Sequence, residues 1–195
     1  MKVLNLYAGI GGNRKLWTDV EVTAVELNPE IAKIYKDLYP DDIVIVGDAH
    51  QYLLDYYKEF EFIWGSPPCP THSGVNFFLN AQGIIRYPDM SLWQEILFLT
   101  YFFKGKFCIE NVKSYYDPFI KPIKIGRHYL WTNFNVPKIK QPKITIGRMN
   151  GNRQTASKKT KAERNMVNSE LGLHILECAR GIIKSQDVTQ KTIFD

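Results

Sequence analysis

The chain has 195 residues, of which 45% are hydrophobic and 23% charged, with a net charge of +5. That length suits one domain with at most a small appendage and buries a core without disulfide or metal staples, which excludes disordered, collagen-like and coiled-coil classes. Apolar runs such as Val44–Val46 and Ile96–Leu99 fall far short of the ~18 residues of a membrane span; the N-terminus lacks a signal-peptide pattern; and the unpaired set Cys69, Cys108 and Cys178 predicts a reducing, cytoplasmic interior.

Five short segments rich in β-branched or aromatic residues predict strands: Lys2–Tyr7, Glu21–Leu27, Ile43–Val46, Glu61–Trp64 and Lys106–Ile109. Helices are predicted between them. Asn28 is placed to cap one that opens at Pro29-Glu30, carries Ile31, Ile34, Tyr35 and Leu38 on one face, and stops at Pro40. A second runs over Gln51–Phe60, and Ser91-Leu92-Trp93-Gln94 has capping-box spacing ahead of a helix to Phe103. This alternation predicts an α/β fold with a largely parallel sheet, helices on both faces and ligands outside the carboxyl ends of the strands.

Beyond Val112 the pattern changes. His128–Val136 reads as a strand, residues 137–163 as a loop-rich insertion, and Met166–Ile183 as a helix through Leu171, Ile175, Leu176 and Ala179. Residues 135–164 hold nine Lys/Arg against Glu163 alone, a segment of +8 that leaves −3 for the rest. A mildly acidic body with one basic segment has the footprint of a nucleic-acid contact, and equally of a solvated basic loop.

The strand ends carry the candidate chemistry. Tyr7-Ala8-Gly9-Ile10-Gly11-Gly12 is a glycine-rich turn that lacks the third glycine of the dinucleotide fingerprint. Glu26 stands where a carboxylate would meet a ribose, and Asp48 where one would meet an adenine amino group or cap a helix. Three such features at successive strand ends would surround an adenosine-containing cofactor. The fourth strand ends in Ser66-Pro67-Pro68-Cys69-Pro70-Thr71-His72-Ser73, where prolines stiffen the turn around a candidate nucleophile, Cys69. His72 is a weaker candidate base, and Cys108 and Cys178 suit burial. Glu110-Asn111-Val112 ends the fifth strand with a carboxylate beside the nucleophile. No Cys/His spacing resembles a metal site, which argues against a deaminase.

In this order LYAGIGG, VELN, GDAH, SPPCPTHS and ENV closely resemble the cytosine-5 DNA methyltransferases over residues 2–134. Arg127-His128-Tyr129 resembles the family's Arg-containing motif, and Asn168-Ser169 its late Asn-Ser element. The resemblance implies a Rossmann-like sheet that binds S-adenosyl-L-methionine (SAM). It divides the chain into a catalytic domain (1–134), a minimal target-recognition insertion (135–163) and a C-terminal helix completing the catalytic domain (164–195). It further implies that Tyr7, Ala8, Gly9, Ile10, Gly11, Glu26, Leu27, Asp48, Ala49, Pro68, Asn168 and Ser169 line the cofactor. Cys69 is implied as nucleophile, Glu110 as partner of the ring nitrogen and Arg127 as a contact to the cytosine carbonyl. The segment 74–90, with Phe77, Phe78 and Gly83, is expected to close on a flipped base. Ser73, Lys138, Lys140, Lys143, Arg148, Arg153, Lys158, Lys159 and Lys161 are expected on nucleic acid.

Pro70 stands where relatives carry Gln, and Ile125 where they carry a second Arg. The compressed recognition region implies a short or relaxed target sequence, or a partner such as a cognate restriction nuclease. The expected protein is a monomeric DNA methyltransferase of a virus or prokaryote. An RNA (tRNA) cytosine-5 methyltransferase and a catalytically retired nucleic-acid binder are the alternatives; Cys69, Glu110 and Arg127 together argue against the latter.

Overall fold

The computed structural model describes residues 1–139 and 166–183. Five strands, β1 (Lys2–Leu6), β2 (Glu21–Glu26), β3 (Ile43–Val46), β4 (Phe62–Gly65) and β5 (Lys106–Val112), pair in parallel. Two more, β6 (Ile123–Ile125) and β7 (His128–Thr132), extend one edge in antiparallel fashion. The order is β3-β2-β1-β4-β5-β7-β6, a Rossmann-like α/β arrangement.

Parallel neighbours need crossovers, and helices supply them. Helix α1 (Pro29–Leu38) starts where Asn28 Oδ1 accepts from the amides of Glu30 and Ile31, with Pro29 at its first position, and it ends ahead of Pro40. Helices α2 (Ala49–Tyr56), α3 (Val75–Ala81), α4 (Ser91–Phe102) and α5 (Ser169–Ala179) follow in chain order. Because strand side chains alternate between faces, Leu4 and Leu6 pack with Leu53, Ile96 and Leu99 on one side of the sheet. On the other side Val3 packs with Trp17, Phe62, Leu171 and Ile175.

The structure corrects several expected boundaries. Helix α2 begins two residues early because Asp48 Oδ1 accepts from the amides of His50 (2.8 Å) and Gln51 (3.2 Å), and it gives way to a 3-10 turn over Tyr57–Glu59. The expected capping box at Ser91 does not form. Asp89 Oδ1 instead accepts from both the amide (3.0 Å) and the hydroxyl (2.7 Å) of Ser91. Strand β4 sits one residue later than expected, and β5 runs three residues further, to Val112, because β7 pairs along its full end. Strand β7 stops at Thr132, whose hydroxyl donates to the Phe134 carbonyl and turns the chain. The last helix starts at Ser169 instead of Met166, where Asn168 caps it. Residues 75–81, read as loop, form α3, with Asn76 turned inward to donate to the carbonyls of Pro70 and Ser73. Strand β6 carried no legible signal, being three residues between Pro122 and Gly126.

Candidate active site

The site begins where β1 ends. Tyr7 leaves the strand at φ 55°, and Gly9 (56°) and Gly11 (75°) stay in the left-handed region that glycine tolerates. The turn thereby crosses the end of β2, and the Gly9 amide donates to Glu26 Oε2 at 2.9 Å. Glu26 Oε1 accepts from the Asn28 amide at 2.9 Å, so backbone groups hold both carboxylate oxygens. A side chain at Gly11 would strike the Tyr39 ring at 2.4 Å, whereas nothing lies within 4 Å of a Cβ built at Gly9. The turn is packed behind and open in front. Beside it Leu27 is 72% exposed, Ile10 is half-buried, and Ala8 and Ala49 are buried. Met166 and Val167 pack against Gly12, which brings Asn168 and Ser169 to the same turn, while Asn168 Oδ1 caps α5.

Sequence reasoning missed one cluster here. Glu95 of α4 is wholly buried, and it accepts from the Tyr7 hydroxyl and bonds His50 Nδ1 (2.9 Å). Its other oxygen, Oε2, has no partner among the described residues. Burial pushes the Glu95 carboxyl above its ordinary pKa, and burial followed by the Glu95 charge pushes the Tyr7 phenol up. The available signal was a lone acid inside an apolar helix, flanked by Leu92, Trp93 and Ile96.

The second group forms where β4 ends. The Cys69 carbonyl accepts from the amides of His72 and Ser73, both at 3.0 Å, so the prolines and a tight turn fix the nucleophile candidate. Asn111 Nδ2 donates to the Pro67 carbonyl at 3.1 Å and ties this turn to β5. Ser73 bridges to Ser114, and Pro68 is exposed. His72 is buried with Nδ1 on the Tyr116 hydroxyl (2.6 Å), and burial lowers its pKa; it anchors the loop. Cys108 and Cys178 are buried free thiols.

Cys69, Glu110 and Arg127 come together electrostatically. Burial pushes the Cys69 thiol up, the Glu110 charge adds to this, and the Arg127 charge opposes it. Glu110 is buried on β5, and His128 Nδ1 lies 2.5 Å from its Oε1. The Lys113 amide donates to the Arg127 carbonyl (3.1 Å), pinning the β6–β7 turn against the end of β5. A thiol, a carboxyl and a guanidinium around one sheet edge can add to, protonate and orient a polar heteroaromatic ring.

Beyond the thiol, α3 and the following chain expose Phe77 (66%), Phe78 (68%) and Tyr87 (81%). A groove of about 630 Å³ near β6 gathers Lys121, Lys124 and Lys138 with Asp117. Lys140, Lys143, Arg148, Arg153, Lys158, Lys159 and Lys161 lie outside the described residues. Among the described residues no group of three His, Cys, Asp or Glu could hold a metal, and no helix is long and apolar enough to cross a membrane.

Comparison with known proteins adds one strong finding. Residues 1–121 match the sequence model of the C-5 cytosine-specific DNA methylases. No match was found among curated proteins. Among solved structures, a hypothetical protein of Thermus thermophilus is 18% identical, with 67% of this chain and 73% of that one covered at a TM-score of 0.43. The Entamoeba histolytica methyltransferase EhMeth is 18% identical, with 57% and 38% covered at 0.40. A mutant of Spodoptera frugiperda DNMT2 is 25% identical, with 57% and 35% covered at 0.40. The chain thus spans little over a third of either methyltransferase.

Proposed function

Because the chain belongs to the C-5 cytosine-specific DNA methylase family, we propose that it methylates carbon 5 of cytosine in DNA, through a covalent Cys69 adduct on a base flipped out of the helix. Family membership implies SAM as cofactor, and the residues at the ends of β1–β3 fit it. The front of the Gly9 turn is open to a ligand, and Glu26 is held rigidly beside it. Leu27 offers an exposed apolar surface for an adenine. Tyr7, Ala8, Ile10, Gly11, Asp48, Ala49, Pro68, Asn168 and Ser169 complete this proposed lining. SAM supplies the electrophilic methyl group.

The residues of the chain prepare the base. Carbon 5 of cytosine is a weak nucleophile, and addition of the Cys69 thiolate at carbon 6 makes it enamine-like. Glu110, carrying a proton, hydrogen-bonds ring nitrogen 3 and passes that proton to the charge that moves there, while Arg127 meets the ring carbonyl. Once carbon 5 carries the methyl group, transfer of its proton to a base and β-elimination free Cys69. Acid–base help of this kind contributes roughly 100- to 10,000-fold. A stacked cytosine is out of reach of Cys69, so flipping it costs a few kcal/mol. The exposed Phe77 and Phe78 on α3 suit the rim that closes behind it.

The observation that supports this reading is geometric: Asn111 ties the Cys69 turn to β5, which carries Glu110, and the Lys113 amide ties the turn that carries Arg127 to the same strand end. Lys138, with the basic residues that follow it, suits phosphate contact, and the proposed partner is DNA. Nucleoside mass spectrometry on DNA and, in parallel, tRNA incubated with protein and SAM tests it. 5-Methylcytosine in DNA that disappears with Cys69→Ala is the expected result. Product in tRNA alone would move the substrate to RNA, and product that survives Cys69→Ala would remove the adduct.

A further inference from the structure

We propose that His128 is a positioning residue for Glu110, holding the carboxyl through Oε1 so that Oε2 is presented to the base; the catalytic part of this proposal rests on the function proposed above.

The placement follows from strand register. Glu110 pairs across the ladder with Leu130, and His128 pairs with Val112. Glu110 and His128 are therefore diagonal neighbours on one face of an antiparallel pair, a relation that long side chains can bridge. They do so tightly, with Nδ1 at 2.5 Å from Oε1. Both side chains are less than a tenth exposed, so the bond is largely shielded from solvent. The turn just before His128 is fixed in turn by the bond from the Lys113 amide to the Arg127 carbonyl.

A buried carboxylate without a partner is expensive and free to rotate. The bond to His128 removes both problems, because it satisfies one oxygen and fixes the plane of the carboxyl group. Neighbouring side chains do not replace it. Asn111 commits its side-chain nitrogen to the Pro67 carbonyl, and Leu130, which pairs with Glu110, has no donor. Arg127 acts on Cys69 by charge, and Cys108 is a fully buried thiol on the same strand as Glu110. A packing role would ask for an apolar side chain on this strand, where Leu130 already sits; an imidazole facing a carboxylate asks for a hydrogen bond.

Two variants separate positioning from packing. His128→Leu keeps volume and removes the donor, whereas His128→Asn places an amide nitrogen near the former Nδ1. With DNA and SAM, His128→Leu is expected to lose about 10- to 100-fold in kcat, the effect of one hydrogen bond to a charged group. KM for DNA and SAM affinity should stay near those of the parent, and His128→Asn should recover most of the rate. Equal losses in the two variants, or a change confined to KM, would overturn the proposal. Proton NMR of the protein alone supplies a readout independent of turnover. A buried imidazole N–H donating to a carboxylate predicts a resonance downfield of the amides that vanishes in His128→Leu and weakens or moves in Glu110→Gln. Absence of that resonance in the parent, or its persistence in His128→Leu, would also overturn it. A parent protein that shows the resonance yet methylates no nucleic acid would leave the bond standing and overturn the function on which its catalytic role rests.

Discussion

The two ends of the sheet hold their polar residues in different ways. At the end built by β1–β3, charges are fixed in place by several partners. Asp42 is almost fully buried and receives Arg14 through Nε at 2.9 Å and a second guanidinium nitrogen at 3.0 Å, together with the Tyr35 hydroxyl at 2.9 Å. Glu26 is held by two backbone amides. At the end built by β4–β7, the turn is fixed through backbone and asparagine contacts, while the thiol itself is left to feel opposing charges from Glu110 and Arg127. The first arrangement suits a rigid mould for a cofactor and the second suits groups whose charge must change during a reaction. Substitutions at the first end should therefore act on stability, and those that alter the charge around the thiol at the second chiefly on reactivity.

The largest expected effect tests the rigid end. Asp42→Ala leaves the Arg14 guanidinium, whose side chain is 14% exposed, without its carboxylate. Removing one partner of a buried pair costs about 3–5 kcal/mol, so chemical denaturation should show the midpoint falling sharply. A loss under about 1 kcal/mol would mean that this pair behaves like a surface contact and that the contrast between the ends is false. Next comes Gly172→Ala. Here α5 approaches the 3-10 turn over Asn13–Leu16 so closely that a Cβ would lie 2.2 Å from the Asn13 carbonyl oxygen. Backbone must move, and Asn13 is also bonded to Asn5 beneath the glycine-rich turn. About 1–3 kcal/mol of stability should go, and weaker SAM binding by calorimetry should accompany it.

Glu95 refines the comparison, since it is a buried acid at the rigid end with one unpartnered oxygen among the described residues. Its pKa is raised on folding, so the native state binds its proton more tightly than the unfolded chain does. The stability it contributes is present at low pH and is lost as pH rises through the folded value. Glu95→Gln removes that dependence, and its stability relative to the parent should improve steadily from acid to neutral pH. A constant difference across that range would show that burial does not hold the proton on Glu95.

Much of this was legible in the sequence. Strands β1–β5 announce themselves by β-branched and aromatic residues between turn signals, and α1 by Asn28-Pro29 ahead of an apolar face ending at Pro40. The candidate residues Glu26, Asp48, Cys69 and Glu110 could be placed at strand ends because a parallel sheet gathers those ends on one side. What escaped depended on pairing between distant segments. Strand β6 exists because Ile123–Ile125 finds β7, and three residues carry no period of their own. His128 reads as one more residue of an apolar strand until β7 is registered against β5 and brings it diagonal to Glu110. Asn76 sits in a segment rich in exposed aromatics, and only the fold of the proline turn gives it carbonyls to meet.

The smallest effect tests the reactive end most directly. Cys69 is half-buried, and its thiol is held above the ordinary range first by burial and then by Glu110, with Arg127 and a local backbone hydrogen bond pulling the other way. Alkylation by iodoacetamide follows the thiolate, so its rate against pH reports the titration of Cys69. Glu110→Gln removes a negative charge and should move the midpoint to lower pH. Arg127→Gln removes a positive one and should move it to higher pH. Arg127→Gln should unfold at the parent's denaturant midpoint, because Arg127 is exposed, whereas Glu110→Gln also weakens the buried bond to His128 and should lose stability. Shifts of opposite sign in the reactivity of one thiol are what separate this end from the one at Asp42. If neither variant moves the midpoint, burial alone governs Cys69, and the two charges do not form a unit with it.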